Sequence, residues 1–398
     1  MKIVIVINFG FPRGMASTSR ARHLAMGITE NGSKVEILIP KPTEYPNNVL
    51  NDHLHGTMDG CAYRYTSTST IIPGNYFKCR YMVLKGFIAC AGDLYKNRKT
   101  LDAVILYLRS INGVAFLSFW CKLLGISIIL ELCEWSISHR NTDLKTKIQN
   151  WFLTTPLFLF ADGVIAISSF IKQRVSDFSD IIKRDIPCLI TPILVKTDNY
   201  KCNTPYNPNG DLLFCGILDQ TDIVLFLLKV MVELKENGLT RKLAITGKAF
   251  NPSNLERLKS DIQKRDLSEL VILKGYLPEE ELIKSYCSAS ALLAPLPSGD
   301  RSIARFPNKI GEYLASGRPI VTTSIGDIPK YLTNEESAYL VDPDDVKGFA
   351  NAVRDVLNNP VKAEKIGRRG CEVAGKYFDP KANAKLIMEF IETIKAKA

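Results

Sequence analysis

The chain has 398 residues, 46% hydrophobic and 23% charged, which places it in the soluble globular class and makes it too long for one ordinary core. The formal net charge is +10 and uneven: residues 1–200 hold 23 Lys+Arg against 15 Asp+Glu, while residues 201–398 hold 28 against 26. A basic first half suits an anionic partner (membrane lipid, lipid-linked phosphate, nucleic acid or a nucleotide) or is simply a soluble basic surface. Ten cysteines are scattered without a Cys-x-x-Cys pair, and only four histidines exist, with His53 and His55 in a loop-like stretch. This pattern argues against a zinc site, and scattered thiols in a chain of this size point to a reducing cytoplasm.

In chain order, strands and helices alternate throughout, as expected for parallel sheets covered on both faces. "MKIVIVINFGF" is too short for a signal-peptide core and has no small-residue cleavage site, so it reads as a first strand at 2–7. A Gly/Pro loop follows, then a helix over "STSRARHLAMGITENG" that ends at Asn31-Gly32, then a strand at 34–40. Further buried strands are expected at 103–108, 127–132 and 163–168. The most membrane-like segments, 114–133 and 150–168, are interrupted by Lys122 and Gly125 and by Ala161-Asp162-Gly163, so no transmembrane span is expected. "TDNYKCNTPYNPNGD" (197–211) reads as a linker. Alternation then restarts, with strands in "LLFCG", "KLAITG", "LVILKG", "ALLAP" and "PIVTT" separated by helices, one opening at Pro278 with acidic residues behind it. "DPDD" (342–345) reads as a helix start capped by Asp342 or Asp344, not as a metal signature. Two doubly wound domains in series place a cleft between them, and such sheets bind ligands outside the carboxyl ends of their strands.

Several loops carry chemistry. The first, "NFGFPRGMASTSRARH" (8–23), has Gly10 and Gly14 before a Ser/Thr-rich helix start. Free helix N–H groups there suit phosphate, with Arg13 and Arg20 adding charge, although a tight turn capped by Ser17 explains the same residues. It is not Gly-x-Gly-x-x-Gly, and no acidic ribose clamp ends the second strand, so a nicotinamide dehydrogenase fits poorly. After the strand at 127–132, Glu134 or His139 would contact a sugar hydroxyl or orient an acceptor, or lie in a solvated loop. Gly216 and Gly247 would allow close backbone approach to a ligand, Lys248 would reach a phosphate, and the backbone of Tyr276 and Leu277 would read a base edge.

"SGDRSIARFPNKIGEYLASGRPIV" (298–321) is the strongest signal. A glycine loop holds Arg301 and Arg305, Asn308 is the expected N-cap, and Lys309 falls in the first helical turn. Loop N–H groups, the helix dipole and up to three cations then converge on a diphosphate site. Glu312, one turn on, suits two hydrogen bonds from a vicinal diol such as a ribose. Gly317 ends the helix.

Taken together, "MKIVIVINFGFPRG", "ADGVIAISSFIKQRV", "LAITGKA", "LKGYLPEEELIKSYCSASALLAPL", "FPNKIGEYLASGRPIVTT" and "SAYLVDPDD" resemble the family 4 retaining glycosyltransferases in order and spacing, over nearly the whole chain. The Pro-Asn-Lys-x-x-Glu-Tyr form resembles the enzymes of bacterial surface polysaccharides. The resemblance implies an α/β GT-B fold, two Rossmann-like doubly wound parallel-sheet domains facing a central cleft. Residues 1–197 would bind the acceptor, 198–378 the nucleotide sugar, and a helix over 379–398 would pack back on the first domain. It implies sugar transfer with retention from a UDP- or GDP-sugar to a glycan or lipid-linked acceptor, with no metal or other cofactor. The leaving diphosphate would help deprotonate the acceptor hydroxyl. Glu312 would bind the donor ribose, Lys309 and its neighbours the diphosphate, and the loop at Gly14 would approach the phosphate. Lys309, Arg305 and Glu134 are the candidate catalytic residues. Two positions depart from the family pattern. Ala304 stands where a glutamate often contacts the donor sugar, eight residues before Glu312, with Asp300 as the nearby acid. "GILDQTDI" lacks the usual Arg and Lys.

Such an enzyme is expected in the cytoplasm, peripheral on the inner face of the membrane, where the basic, aromatic "NYFKCRYMVLKGF" (75–87) and "LYKNRK" (94–99) would rest on anionic lipid or be merely solvated. Alternatives are an inverting transferase using His23 or His139 as base, a sugar-nucleotide epimerase, and a non-catalytic nucleotide-sugar-binding subunit. A nucleic-acid protein fits poorly, since no recognised binding module is present.

Overall fold

The computed structural model describes residues 1–108, 110–135 and 156–397. Its first strand, β1 (Lys2–Ile7), is buried from Ile3 onward because its apolar residues run without a polar face. Helix α1 (Ala16–Glu30) leads to β2 (Lys34–Ile39), which pairs with β1 in parallel. Met15, not Ser17, precedes α1, and no side chain caps it. Next, β3 (His55–Met58) and β4 (Cys61–Tyr65) form an antiparallel hairpin turned at Asp59-Gly60, both with positive φ. His55 therefore opens the edge strand of a sheet, and His53 lies two residues before it. Helix α2 (Tyr76–Asn97), β5 (Ala103–Tyr107), α3 (Ile111–Leu124), β6 (Ser127–Leu132), β7 (Gly163–Ala166), α4 (Ser169–Ile182) and β8 (Cys188–Ile190) follow. The sheet order is β3-β4-β2-β1-β5-β6-β7-β8, parallel except at the hairpin.

Residues 1–194 and 380–398 form one unit, and residues 195–379 form a second. In the second, β9 (Leu212–Cys215), α5 (Thr221–Glu236), β10 (Leu243–Thr246), α6 (Pro252–Lys264), β11 (Val271–Gly275), α7 (Glu279–Ser288) and β12 (Ala291–Ala294) come first. Then follow α8 (Asp300–Ala304), α9 (Asn308–Ala315), β13 (Ile320–Thr323), α10 (Ile328–Tyr331), β14 (Tyr339–Val341), α11 (Val346–Asn358) and α12 (Pro360–Tyr377). All strand pairs here are parallel, in the order β11-β10-β9-β12-β13-β14. The order reverses beside β9, so a crevice at strand carboxyl ends opens between β9 and β12.

The last helix, α13 (Pro380–Lys397), belongs to the first unit. Its buried residues Ala384, Ile387, Ile391 and Ile394 recur at helical spacing and join the core around β1. It lies so close to α1 that a Cβ on Gly27 would sit 2.2 Å from the Pro380 carbonyl oxygen.

Three further expectations need correction. Asp345 caps α11, its Oδ1 accepting from the Gly348 amide at 2.9 Å. Asp344 instead takes positive φ and accepts from the Ser298 amide, so neither Asp342 nor Asp344 is the cap. The cysteines are not all thiols, since Cys202 joins Cys287 in a disulfide and the other eight are free. Arg20 is no phosphate ligand. It is buried in the first unit, with its Nε 2.6 Å from Glu131 Oε1 and its other nitrogens donating to the carbonyls of Pro192 and Thr191. The physical reason is helical phase: Arg20 falls on the inner face of α1 with Ala21 and Leu24. Among the described residues, no helix is long and apolar enough to cross a membrane.

Removing one partner of a buried ion pair strands the other charge. Arg20→Met is therefore expected to cost about 3–5 kcal/mol in the first unit, with much of it restored by adding Glu131→Leu. Hydrogen exchange checks this: amides of β1 and β6 should lose protection while those of β9 and β12 keep it.

Candidate functional site

The carboxyl ends of β9, β10, β11 and β12, together with the start of α9, carry most of the residues singled out in the second unit. Arg301 lies on the short helix α8, not on an open glycine loop, and is exposed. Arg305 follows α8 and is half-buried. Pro307 takes the N-cap position of α9, so Asn308 is the first helical residue and not the cap. The proline ring's φ of −66° suits a helix entrance, and no side chain closes it. The partial positive charge of that helix end favours an anion.

One turn into α9 lies a three-way contact. Lys309 Nζ is 2.6 Å from Glu312 Oε2, the Tyr286 hydroxyl donates to the same oxygen at 2.8 Å, and Lys309 Nζ lies 3.0 Å from that hydroxyl. Lys309 and Glu312 meet because residues three apart are neighbours on a helix surface. Tyr286 comes from α7 and is wholly buried, whereas Glu312 is 8% exposed. Burial works to lower the Lys309 pKa, but the Glu312 carboxylate, and secondarily Cys215, outweigh it, so the ammonium is held charged well above neutral pH. Lys309 thus stands against Glu312 and Tyr286, not apart as a separate phosphate ligand. Both donors use Oε2, and Glu312 Oε1 has no partner among the described residues. The next residue, Tyr313, fastens α9 to the sheet: its hydroxyl accepts from the Cys215 amide at 2.8 Å, at the end of β9. Tyr286 and Tyr313 meet edge to face with centroids 5.1 Å apart.

Beside this cluster three strand-end glycines converge. A Cβ on Gly247 (φ +146°) would fall 1.7 Å from the Gly216 carbonyl oxygen, a conformation and closeness only glycine meets. The Gly247 amide donates to the Gly275 carbonyl at 2.8 Å. Lys248 Nζ lies 4.4 Å from the centroid of the exposed Tyr276 ring, a cation–π contact, and Leu277 is half-buried behind it. Gly216, Gly247, Lys248 and Tyr276 thus form one group, and Asn308, Lys309 and Glu312 a second, with Cys215 linking them.

Most of the remaining residues lie in the first unit. Gly14 is needed for close packing, because a Cβ there would fall 2.1 Å from Thr18 Oγ1. Arg13 is exposed, with its backbone gripped at both ends by the Asn51 amide side chain. Glu134 is exposed beyond β6, His23 is buried on α1, and His139 lies outside the described residues. Ala304 is fully buried, and Asp300 is exposed at the start of α8. Among the described residues, no three of His, Cys, Asp and Glu gather as a metal-binding group. Sequence reasoning missed Tyr286, Tyr313 and Cys215. Tyr286 follows Leu282 and Ile283 at helical spacing and looks like an ordinary core aromatic until its hydroxyl is seen on Glu312.

Residues 209–359 match the family described as glycosyl transferases group 1. The second unit carries a group 1 glycosyltransferase domain. Among curated proteins, glycogen synthase of Mycobacterium tuberculosis is 22% identical over 55% of this chain and 51% of its own. The putative colanic acid biosynthesis glycosyltransferase WcaL of Escherichia coli is 29% identical over 30% of this chain and 29% of its own. The chain thus spans about half the length of the first relative and under a third of the second. Among solved structures, sucrose-phosphate synthase from Thermosynechococcus elongatus superposes with a TM-score of 0.75 at 16% identity, covering 100% of both chains. Anabaena Alr3699/HepE in complex with UDP-glucose gives 0.70 at 12% identity, over 98% of this chain and 99% of its own. These likenesses show the fold: α/β, two parallel-sheet domains of the GT-B class.

A double-mutant cycle on Tyr286→Phe and Lys309→Met tests whether the two donors act together on Glu312. Each change is expected to destabilise the group 1 domain by about 1–3 kcal/mol, with a coupling above ~0.5 kcal/mol, read by urea unfolding. Additive losses would mean that the two donors hold Glu312 independently.

Proposed function

We propose that the chain is a retaining glycosyltransferase that moves a sugar from a UDP- or GDP-sugar to a glycan or lipid-linked acceptor in surface-polysaccharide synthesis. The observation that carries this reading is the Glu312–Lys309–Tyr286 cluster at the start of α9, inside the segment that matches the group 1 family. Two donors hold the carboxylate by one oxygen, which leaves Oε1 to accept from a ribose hydroxyl. The helix start, with Arg301 and Arg305, lies one turn ahead and would receive the diphosphate. The Gly216–Gly247 approach and the Tyr276–Leu277 backbone would pass under the base and phosphates. HepE, a structural neighbour, is titled as a complex with UDP-glucose, and WcaL is named for colanic acid synthesis, which supports the donor class and the setting.

In this reading Lys309 acts first by fixing Glu312 and second by adding positive charge near the leaving group. The bond from the sugar's anomeric carbon to the diphosphate breaks as the bond to the acceptor oxygen forms on the same face. The acceptor proton passes to a diphosphate oxygen, so no metal or protein base is required. Glu134 would orient the acceptor. The setting would be the cytoplasm, at the inner face of its membrane. A second reading, a subunit that binds a nucleotide sugar without transferring it, draws on Ala304. That residue is fully buried where a sugar-contacting carboxylate is expected.

A panel of UDP- and GDP-sugars, screened by thermal shift, checks the donor. A true donor at 100 times its Kd adds ~2.7 kcal/mol, and Glu312→Ala should abolish the shift. A shift that survives Glu312→Ala would contradict the ribose assignment, and binding without transfer or donor hydrolysis would favour the second reading. NMR of the product's anomeric proton decides between retention and inversion.

A further inference from the structure

Helix α2 is apolar on two faces, and the fold covers only one of them. Its inner face, through Met82, Phe87, Cys90, Ala91 and Leu94, is buried. Phe77, Tyr81, Leu84, Ile88 and Tyr95 recur at four, three, four and seven residues, which sets them in a single second stripe. That stripe is open: Phe77 is 80% exposed, and the other four lie between 49% and 59%. Helix α3 packs beside it, with Phe87 edge-on to Phe116 and Trp120 Nε1 donating to the Ala91 carbonyl at 2.9 Å. Phe87 and Ala91 sit on the flank of α2 next to its open stripe. Trp120 likewise flanks the open stripe of α3, which runs through Phe116, Phe119 and Leu123, exposed at 39–64%. The two stripes therefore border one seam.

Eight such side chains present on the order of 900 Å² of largely apolar surface, at about 200 Å² per side chain. The largest patch on an ordinary monomer is about 300–600 Å². Charge selects the occupant. Lys78, Lys85 and Lys96, at seven- and eleven-residue spacing, run along one edge of the α2 stripe, while Arg98 and Lys99 lie at its end. Lys85 and Arg98 lie over the rings of Tyr81 and Tyr95, with the cations 4.7 and 4.0 Å from the centroids, so their stems cover apolar surface and their charges stay outward. The one acid on α2, Asp93, is paired with Arg64 at 2.9 Å, and α3 has none. A second copy of the same face would bring like charges together. Tyrosines with polar tips, cations at the border and aliphatic residues in the middle match an interface with anionic headgroups above acyl chains.

We propose that the paired outer faces of α2 and α3 form one docking surface for an anionic lipid bilayer, with Phe77, Leu84, Phe119 and Leu123 entering the acyl boundary. The proposal stands apart from the sugar-transfer reading, because it needs neither donor nor acceptor.

Flotation of the full chain with vesicles of 70% phosphatidylcholine and 30% phosphatidylglycerol, against pure phosphatidylcholine, tests it. Binding to the anionic vesicles, falling with salt, is expected. Combining Lys78→Glu, Lys85→Glu and Lys96→Glu should weaken it by at least roughly 100-fold, at about one tenfold step or less per charge removed and more for each reversal. A second variant, Phe77→Ser with Leu84→Ser, Phe119→Ser and Leu123→Ser, keeps every cation and should still lose binding at least ~10-fold. Unchanged hydrogen exchange in β1 and β5 shows that both variants remain folded. No binding to anionic vesicles, or binding that either variant leaves intact, overturns the proposal. A concentration-dependent dimer in sedimentation that only the serine variant abolishes would assign the face to a second copy and also overturn it.

Discussion

The second unit depends on a carboxylate that is almost out of water and is held there by two donors. Glu312 has Lys309 and the Tyr286 hydroxyl on the same oxygen, and those two bonds offset the cost of its desolvation. Helix α9, which carries it, has only eight residues and would not persist alone. It is held from three sides. Tyr286 ties it to α7, and Tyr313 ties it to the end of β9 through the Cys215 amide. Just past its end, Arg318 donates to the carbonyls of Cys287, Thr204 and Pro205. The Cys202–Cys287 disulfide joins the same linker to the end of α7. The helix start that faces the strand ends is therefore fixed by contacts made behind it.

The two units use their basic residues in opposite ways. Arg20 is sealed in the core of the first unit, where its charge answers one buried glutamate and two carbonyls. Arg64 is taken up by Glu36 and Asp93. What remains of the first half's positive excess is concentrated along α2 and just beyond it. In the group 1 domain the balance is nearly even, and its important cation, Lys309, is paired within one helical turn. Net charge alone gave no means of telling these uses apart.

Most strands could be read from the sequence because parallel, doubly covered strands leave unbroken apolar runs such as "KIVIVI" and "ALLAP", with glycine just beyond. The hairpin at 55–65 escaped because its strands are short, lie at the sheet edge and carry polar residues, although Asp59-Gly60 was a turn signal in plain view. In the candidate site, Lys309 and Glu312 were legible because they share one helix. Tyr286 was not, since it meets them across 23 and 26 residues of chain. Arg20 was misread for a related reason: a loop-side arginine and a core-side arginine look identical until the phase of α1 is known. The cap of α11 is Asp345, not Asp342 or Asp344, and Asp344 takes a left-handed conformation.

The central claim is that Glu312 receives the ribose of the donor nucleotide. Isothermal titration of UDP against 2′,3′-dideoxy-UDP, or the guanosine pair if GDP-sugars are the donors, tests it most directly, in the unaltered protein and in Glu312→Ala. The account predicts that the unaltered protein binds the ribonucleotide at least ~10-fold more tightly, and that Glu312→Ala binds both equally, since only the carboxylate distinguishes them. If the unaltered protein binds the two alike, or if the variant still prefers the ribonucleotide by the same factor, Glu312 is not the ribose ligand.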